Sequence, residues 1–157
     1  MKLEVDILES GDDLASVADA IGNAPWDEDN EVAGYSEATL RDYLNCQDTV
    51  FIVCYLVRDG VRQLGGMASA RIETKPYAGG KWLYIDEVDT CSNLRRQGVG
   101  TALMRRLFAI ASQAACEEVW LGTEVDNVAA NRLYQSLDPE DIEAVNGYTY
   151  SAGKQQA

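Results

Sequence analysis

The chain has 157 residues, 46% hydrophobic and 25% charged, a balance that fits one ordinary globular domain and excludes disordered and collagen-like classes. It carries 26 Asp and Glu against 13 Lys and Arg, a net charge of −13. Phosphate backbones are bound by clustered cations, so this charge argues against a nucleic-acid partner and suits a cationic small-molecule substrate.

Leu3, Val5 and Ile7 alternate with Glu4 and Asp6, which predicts a first strand. Asp12 or Asp13 can cap a helix that turns Leu14, Val17, Ala18 and Ile21 inward and stops at Gly22 and Asn23. Residues 24–34 hold Pro25, Trp26 and many acids and read as a loop. Ser36 caps a short second helix with Leu40, Tyr43 and Leu44 facing inward, ending near Asn45. The unbroken run from Val50 to Val57 predicts a long strand, Arg58-Asp59-Gly60 a turn, and Leu64 to Ile72 an antiparallel neighbour. A loop over 74–80 leads into a third long strand, Trp82 to Asp89. Val99, Leu103, Leu107, Ile110 and Ala114 share one helical face, giving an amphipathic helix from about Gly98 to Cys116. A strand over Val119–Val125 follows, and then a short helix capped by Asp126 or Asn127 that carries Ala130, Leu133 and Tyr134. Asn146-Gly147 between Ile142–Val145 and Tyr148–Ser151 is a hairpin signal, and such a hairpin leaves open pairing across a homodimer. The order is β-α-α-β-β-β-α-β-α-β-β, a mixed α/β (α+β) chain with one domain over 1–151 and a flexible tail over 152–157.

No apolar run approaches the ~18 residues of a membrane span. The N-terminal MKLEVDILESGDD lacks the apolar stretch of a signal peptide, so no membrane partner and a cytoplasmic location are expected. Cys46, Cys54, Cys91 and Cys116 form no C-x-x-C pair and read as reduced thiols, with no metal site. There is no histidine, so any general base is a carboxylate, tyrosine, cysteine, lysine, the N-terminus or a water.

Four of the thirteen cations fall in SNLRRQGVGTALMRRLF, residues 92–108. A helix that starts at Gly98 offers unpaired N–H groups and a partial positive charge to an anion. Gly98 and Gly100 allow close approach, and Arg95 and Arg96 add charge. No lysine follows either glycine, which rejects a Walker loop, and Leu103 stands where a dinucleotide fingerprint needs its third glycine. On physics alone the stretch is an anion site at a helix N-terminus, or simply a tight strand-to-helix turn.

Three segments carry a family likeness. Arg95-Arg-Gln-Gly98-Val-Gly100 resembles the [RQ]-x-x-G-x-[GA] loop of the GNAT acetyltransferase superfamily, Tyr84 to Thr90 resembles the strand before that loop, and Asn127-Val-Ala-Ala-Asn-Arg-Leu-Tyr134 is similar to the family's N-x-x-A-x-x-L-Y segment. The resemblance implies the GNAT fold, with a mixed, mostly antiparallel central sheet flanked by helices, and acetyl-CoA as cosubstrate without a metal. It implies that amides of Gln97, Gly98, Val99, Gly100 and Thr101 hold the CoA pyrophosphate, helped by Arg95 and Arg96. Backbone groups of Val88, Asp89 and Thr90 would pair with the pantetheine arm as an added strand, one of them polarising the thioester carbonyl. Asn127 would contact the pantetheine, and Tyr134 would protonate the leaving thiolate.

A protonated amine cannot attack a thioester, so a base must take a proton. Glu87 is the first choice, where the family often carries a carboxylate, with Asp86 and Asp89 as competitors. Strand alternation puts Asp86 on the face opposite Glu87 and Asp89 on the same face. Asp138-Pro139 departs from the family's usual glycine and aromatic and puts its helix-to-strand turn in question. The acidic run Asp27 to Glu31 suits a cationic acceptor, such as a polyamine, an aminoglycoside or a lysine side chain. A short string shared with the aminoglycoside 3-N-acetyltransferase branch gives that branch as an alternative, and a catalytically silent acyl-CoA-binding protein is another.

Overall fold

A computed structural model describes residues 1–27, 32, 34–77 and 79–154. They fall into two compact units, residues 1–122 and 123–157. In the first, β1 (Lys2–Ile7), β2 (Thr49–Arg58), β3 (Val61–Thr74), β4 (Lys81–Thr90) and β5 (Glu118–Trp120) form a sheet in sequence order. The first four strands run antiparallel and β5 runs parallel to β4. Its helices are α1 (Leu14–Asn23), α2 (Glu37–Asn45) and α3 (Val99–Gln113). The expected mixed α/β architecture with a mostly antiparallel sheet is the observed one.

Local chemistry explains most of these elements. Asp13 caps α1 by accepting from the Ser16 amide at 3.2 Å, and the four predicted apolar positions of that helix are buried. Asp59 and Gly60 both take positive φ, 50° and 78°, so the β2–β3 turn is the two-residue kind that matches strand twist. β2 is continuous in apolar character because both its faces are covered. Phe51 and Val53 join Leu64 and Met67 of β3 beneath α1 and α2, while Ile52 and Cys54, fully buried, face the other way.

α3 packs across β1 to β4. Its approach depends on Gly66, where a Cβ would stand 2.6 Å from the Asp89 carbonyl oxygen and 2.8 Å from Val99. α3 ends three residues before the expected Cys116. Ala115 takes φ 58°, the Cys116 amide donates to Ala111 O at 2.9 Å and the Ala115 amide to Ser112 O at 3.1 Å. That is a Schellman ending built on alanine where glycine is usual.

The second unit holds α4 (Val128–Gln135), capped by Asn127, whose Oδ1 accepts from the Ala130 amide at 3.1 Å. The expected hairpin is not formed: residues 136–151 carry no strand, and Ile142, Val145, Tyr148 and Tyr150 are exposed. Asn-Gly chemistry is local, and a two-stranded hairpin is marginal in water without a further partner. The basis for a homodimer through that hairpin goes with it. The strand expected over 119–125 is cut to Glu118–Trp120. Ala152–Lys154 forms a 3-10 turn, and the rest of the predicted tail, 155–157, lies outside the described residues.

Gly66→Ala is expected to lower stability by roughly 1–3 kcal/mol through overpacking. Gly11→Ala, with open space around it, should stay within about 0.5 kcal/mol of the parent. Ala115→Gly relieves a left-handed alanine and should raise stability by about 0.5–1 kcal/mol. Urea titration monitored by circular dichroism reads all three.

Candidate functional site

The site in the first unit starts from the cap of α2. Ser36 accepts from the Thr39 amide at 3.1 Å, and Thr39 Oγ1 accepts from the Ser36 amide at 2.9 Å, a reciprocal capping box. This fixes the chain where Tyr35 enters the helix. The Tyr35 ring meets Phe51 edge-on at 5.9 Å, and Phe51 meets Tyr43 in the same way at 6.2 Å. Tyr43 Oη donates to Ala70 O at 2.8 Å and Val50 O at 3.3 Å, tying α2 to the sheet. These three rings wall a cavity of about 370 Å³ whose strand side is Ser69, Asp86 and Glu87.

Asp86 and Glu87 both line this cavity, which corrects the expectation that alternation puts them on opposite faces. Ser69 pairs with Glu87 but Ala70 pairs with Ile85, so Asp86 is the extra residue of a β-bulge. The bulge resets the alternation, and Glu87 and Asp89 return to the face that carries Tyr84. Neighbours then separate the two acids. Asp86 is ion-paired with Arg71, which also holds Glu73 at 2.7 Å. Glu87 Oε2 accepts from Tyr35 Oη at 3.3 Å, and the Glu87 side chain is exposed. Burial, and then the negative charges of Glu87 and Asp89, push the Tyr35 phenol well above its ordinary range, so it stays a donor.

β5 pairs with β4 only at Trp82, Leu83 and Tyr84. Val88, Asp89 and Thr90 therefore lie past the end of that register, on a strand that continues into the glycine loop. There Arg96 and Gly98 take positive φ, 61° and 85°. α1, α2 and α4 each have a side-chain N-cap, whereas α3 begins at Gly98 with none. The amides of Val99, Gly100 and Thr101 open α3 without that capping hydrogen bond, an arrangement that fits a phosphate. Arg96 is exposed and Gln97 half-exposed beside them. Arg95 is ion-paired with Asp27. The short strap from Pro25 to Asp27 is also held by Ser92, whose amide and Oγ donate to Pro25 O at 2.7 and 2.9 Å. The remainder of the acidic run, residues 28–31, lies outside the described residues. Asn127 and Tyr134 belong to the second unit, Asn127 as the cap of α4 and Tyr134, half-buried, in its last turn. Among the described residues no cluster suited to a metal ion is found, and no helix is long and apolar enough to cross a membrane.

The family model described as acetyltransferase (GNAT) family matches residues 24–138. The chain belongs to the GNAT acetyltransferase family. It is 30% identical over 97 residues to mouse N-acetyltransferase family 8 member 3, covering 62% of this chain and 41% of that protein, so it spans about two-fifths of that relative's length. The fold is shared with an aminoglycoside acetyltransferase from an uncultured soil metagenomic sample solved with sisomicin, at TM-score 0.75, 19% identity and 95% coverage of both chains. It is also shared with AAC(6′)-Iy, solved with the bisubstrate analogue CoA-S-monomethyl-acetylneamine, at TM-score 0.72, 16% identity, and coverage of 97% and 100%.

Tyr35, Tyr43, Phe51 and Ser69 are absent from the sequence reading of this GNAT site. Tyr35 precedes a legible cap at Ser36, but nothing local shows that its hydroxyl meets a strand 52 residues on.

All four thiols are free, Cys46 exposed and Cys54 and Cys91 buried. Burial pushes both buried thiols from 9.0 to about 11. Below pH 9 they are protonated folded and unfolded alike; between 9 and about 11 only the unfolded chain releases the protons, so this contribution to stability is lost as pH rises. Melting temperature should fall across that window. A thiol reagent near neutral pH should label Cys46 first, and Cys54 and Cys91 only after unfolding.

Proposed function

We propose that the chain is an acetyl-CoA-dependent N-acetyltransferase that moves an acetyl group directly to a primary amine of a small cationic acceptor. The observation that carries this reading is the continuity of one strand. β4 presents Glu87 to an aromatic-walled cavity, runs past the end of β5 at Val88–Thr90, and leads into the uncapped start of α3. The reading treats residues 1–151 as one acetyltransferase domain, which the family match over 24–138 supports.

Acetyl-CoA, when bound, supplies the activated thioester carbon. Amides of Gln97 to Thr101 would hold its diphosphate, with Arg96 beside them and Arg95 exchanging Asp27 for a phosphate oxygen. Backbone groups of Val88, Asp89 and Thr90 would take the pantetheine arm. Glu87 would accept a proton from the acceptor's ammonium, leaving the nitrogen its lone pair for attack. On the family resemblance alone, Tyr134 Oη would give its proton to the thiolate as the C–S bond breaks and recover one from the acylated nitrogen, and Asn127 would border the arm. Aromatic walls around the Glu87 carboxylate favour an ammonium on an apolar stem or ring. The −13 net charge draws cations from a distance. The aminoglycoside acetyltransferase solved with sisomicin makes aminoglycosides, including acetylation at the 3-amino group, one arm of the test.

The experiment is thiol release from acetyl-CoA with sisomicin, spermidine and a peptide carrying one lysine, alongside calorimetric titration of acetyl-CoA. At least one amine should turn over, and Glu87→Gln should cut kcat by roughly 10²–10⁴ with acetyl-CoA affinity unchanged. Tight acetyl-CoA binding with no release on any amine would replace catalysis by a silent acyl-CoA-binding role.

A further inference from the structure

We propose that Tyr35 is the positioning residue for Glu87, its hydroxyl holding Oε2 so that Oε1 faces the acceptor amine. The inference rests on the function proposed above and adds a residue from outside β4 to it.

Glu87 is exposed and has three side-chain torsions, so it does not hold one geometry unaided. Among the described residues, the hydrogen bond to its carboxylate comes from Tyr35, at 3.3 Å. Tyr35 itself is well fixed. The Ser36–Thr39 capping box sets its backbone, and its ring lies against Phe51, which is 3% exposed. Phe51 is in turn braced by Tyr43, whose hydroxyl is anchored on the sheet backbone. A rigid element therefore carries the donor, and a mobile side chain carries the acceptor.

The kind of donor matters. Asp86, one residue earlier in the same cavity, is held by the Arg71 guanidinium, which balances its charge. Glu87 is held by a neutral phenol, which orients the carboxylate and leaves its negative charge for the incoming cation. The charged and titratable groups around Tyr35 are Glu87 and Asp89 of β4 and Tyr43 of α2, with the Asp86–Arg71 pair further along the wall. In the step itself an ammonium N–H bond breaks and an O–H bond forms on Oε1, while the nitrogen keeps the electron pair.

Tyr35→Phe keeps the ring against Phe51 and removes only the hydroxyl. With the fastest amine of the panel, kcat should fall roughly 10- to 100-fold, the scale of a hydrogen bond to a charged group. The acetyl-CoA dissociation constant and melting temperature should be unchanged. Tyr35→Phe combined with Glu87→Gln should be no slower than Glu87→Gln alone, since both remove one unit. A readout independent of any acceptor is ¹³Cζ-tyrosine NMR, with the Tyr35 signal assigned by its loss in Tyr35→Phe. At one fixed pH that signal should lie at a different shift in Glu87→Gln from that in wild type, because the carboxylate that accepts from the Tyr35 hydroxyl is gone. Wild-type turnover in Tyr35→Phe, or a Tyr35 signal indifferent to Glu87→Gln, overturns the proposal while Glu87 keeps its role. Full turnover in Glu87→Gln overturns the base assignment and the positioning role together.

Discussion

The bulge at Asp86 is the constraint on which the site depends. A regular β4 would turn Asp86 and Glu87 to opposite faces, one under α2 and the other toward α3. One extra residue between the Ile85 and Glu87 pairings puts both acids into the same cavity and returns Asp89 to that face. The next strand contributes as well. β5 pairs with β4 only as far as Tyr84, so among the described residues β4 outruns that neighbour where the bulge has re-aimed the chain. Two carboxylates facing one cavity and a strand that outruns its neighbour thus lie within a few residues of each other on β4.

Packing on the two sides of the sheet holds this arrangement. On one side Phe51, Tyr43 and Tyr35 form an edge-on series that ends at the Glu87 carboxylate. On the other, a Cβ on Gly66 would crowd the Asp89 carbonyl, Val99 and Leu103 at once, so the missing side chain lets α3 lie against the sheet there. The helix whose N-terminus fits a phosphate is therefore seated on the strand that carries the carboxylates. Tight packing transmits position without a flexible link between the two.

The strap from Pro25 to Asp27 ties the α1–α2 connection to the glycine loop. Pro25 O accepts twice from Ser92, and Asp27 pairs with Arg95. The Asp27–Arg95 pair is exposed on both sides, and exposed pairs contribute little to stability. Under the proposed function the pair would exchange, the guanidinium taking a phosphate oxygen in place of Asp27.

Much of this was legible in the sequence because it is written locally. Apolar patterning located the five observed strands and four helices, Ser36 announced α2, Asp12 or Asp13 and Asp126 or Asn127 bracketed the caps of α1 and α4, and Gly98 marked the start of α3. The three spaced motifs gave the family, which the match over 24–138 bears out. Other features were settled only by tertiary structure. The bulge at Asp86 depends on how β3 registers against β4. The bond from Tyr35 to Glu87 joins residues 52 apart, and the pairing of Arg95 with Asp27 joins residues 68 apart. The Asn146-Gly147 turn signal produced no hairpin, because a turn sets the direction of a chain while a strand needs a neighbour to complete its hydrogen bonds. The sequence by itself determined which residues could do chemistry. Which of two adjacent carboxylates meets a cation and which meets a phenol was decided by long-range packing, since that choice belongs to the neighbours and not to the residue.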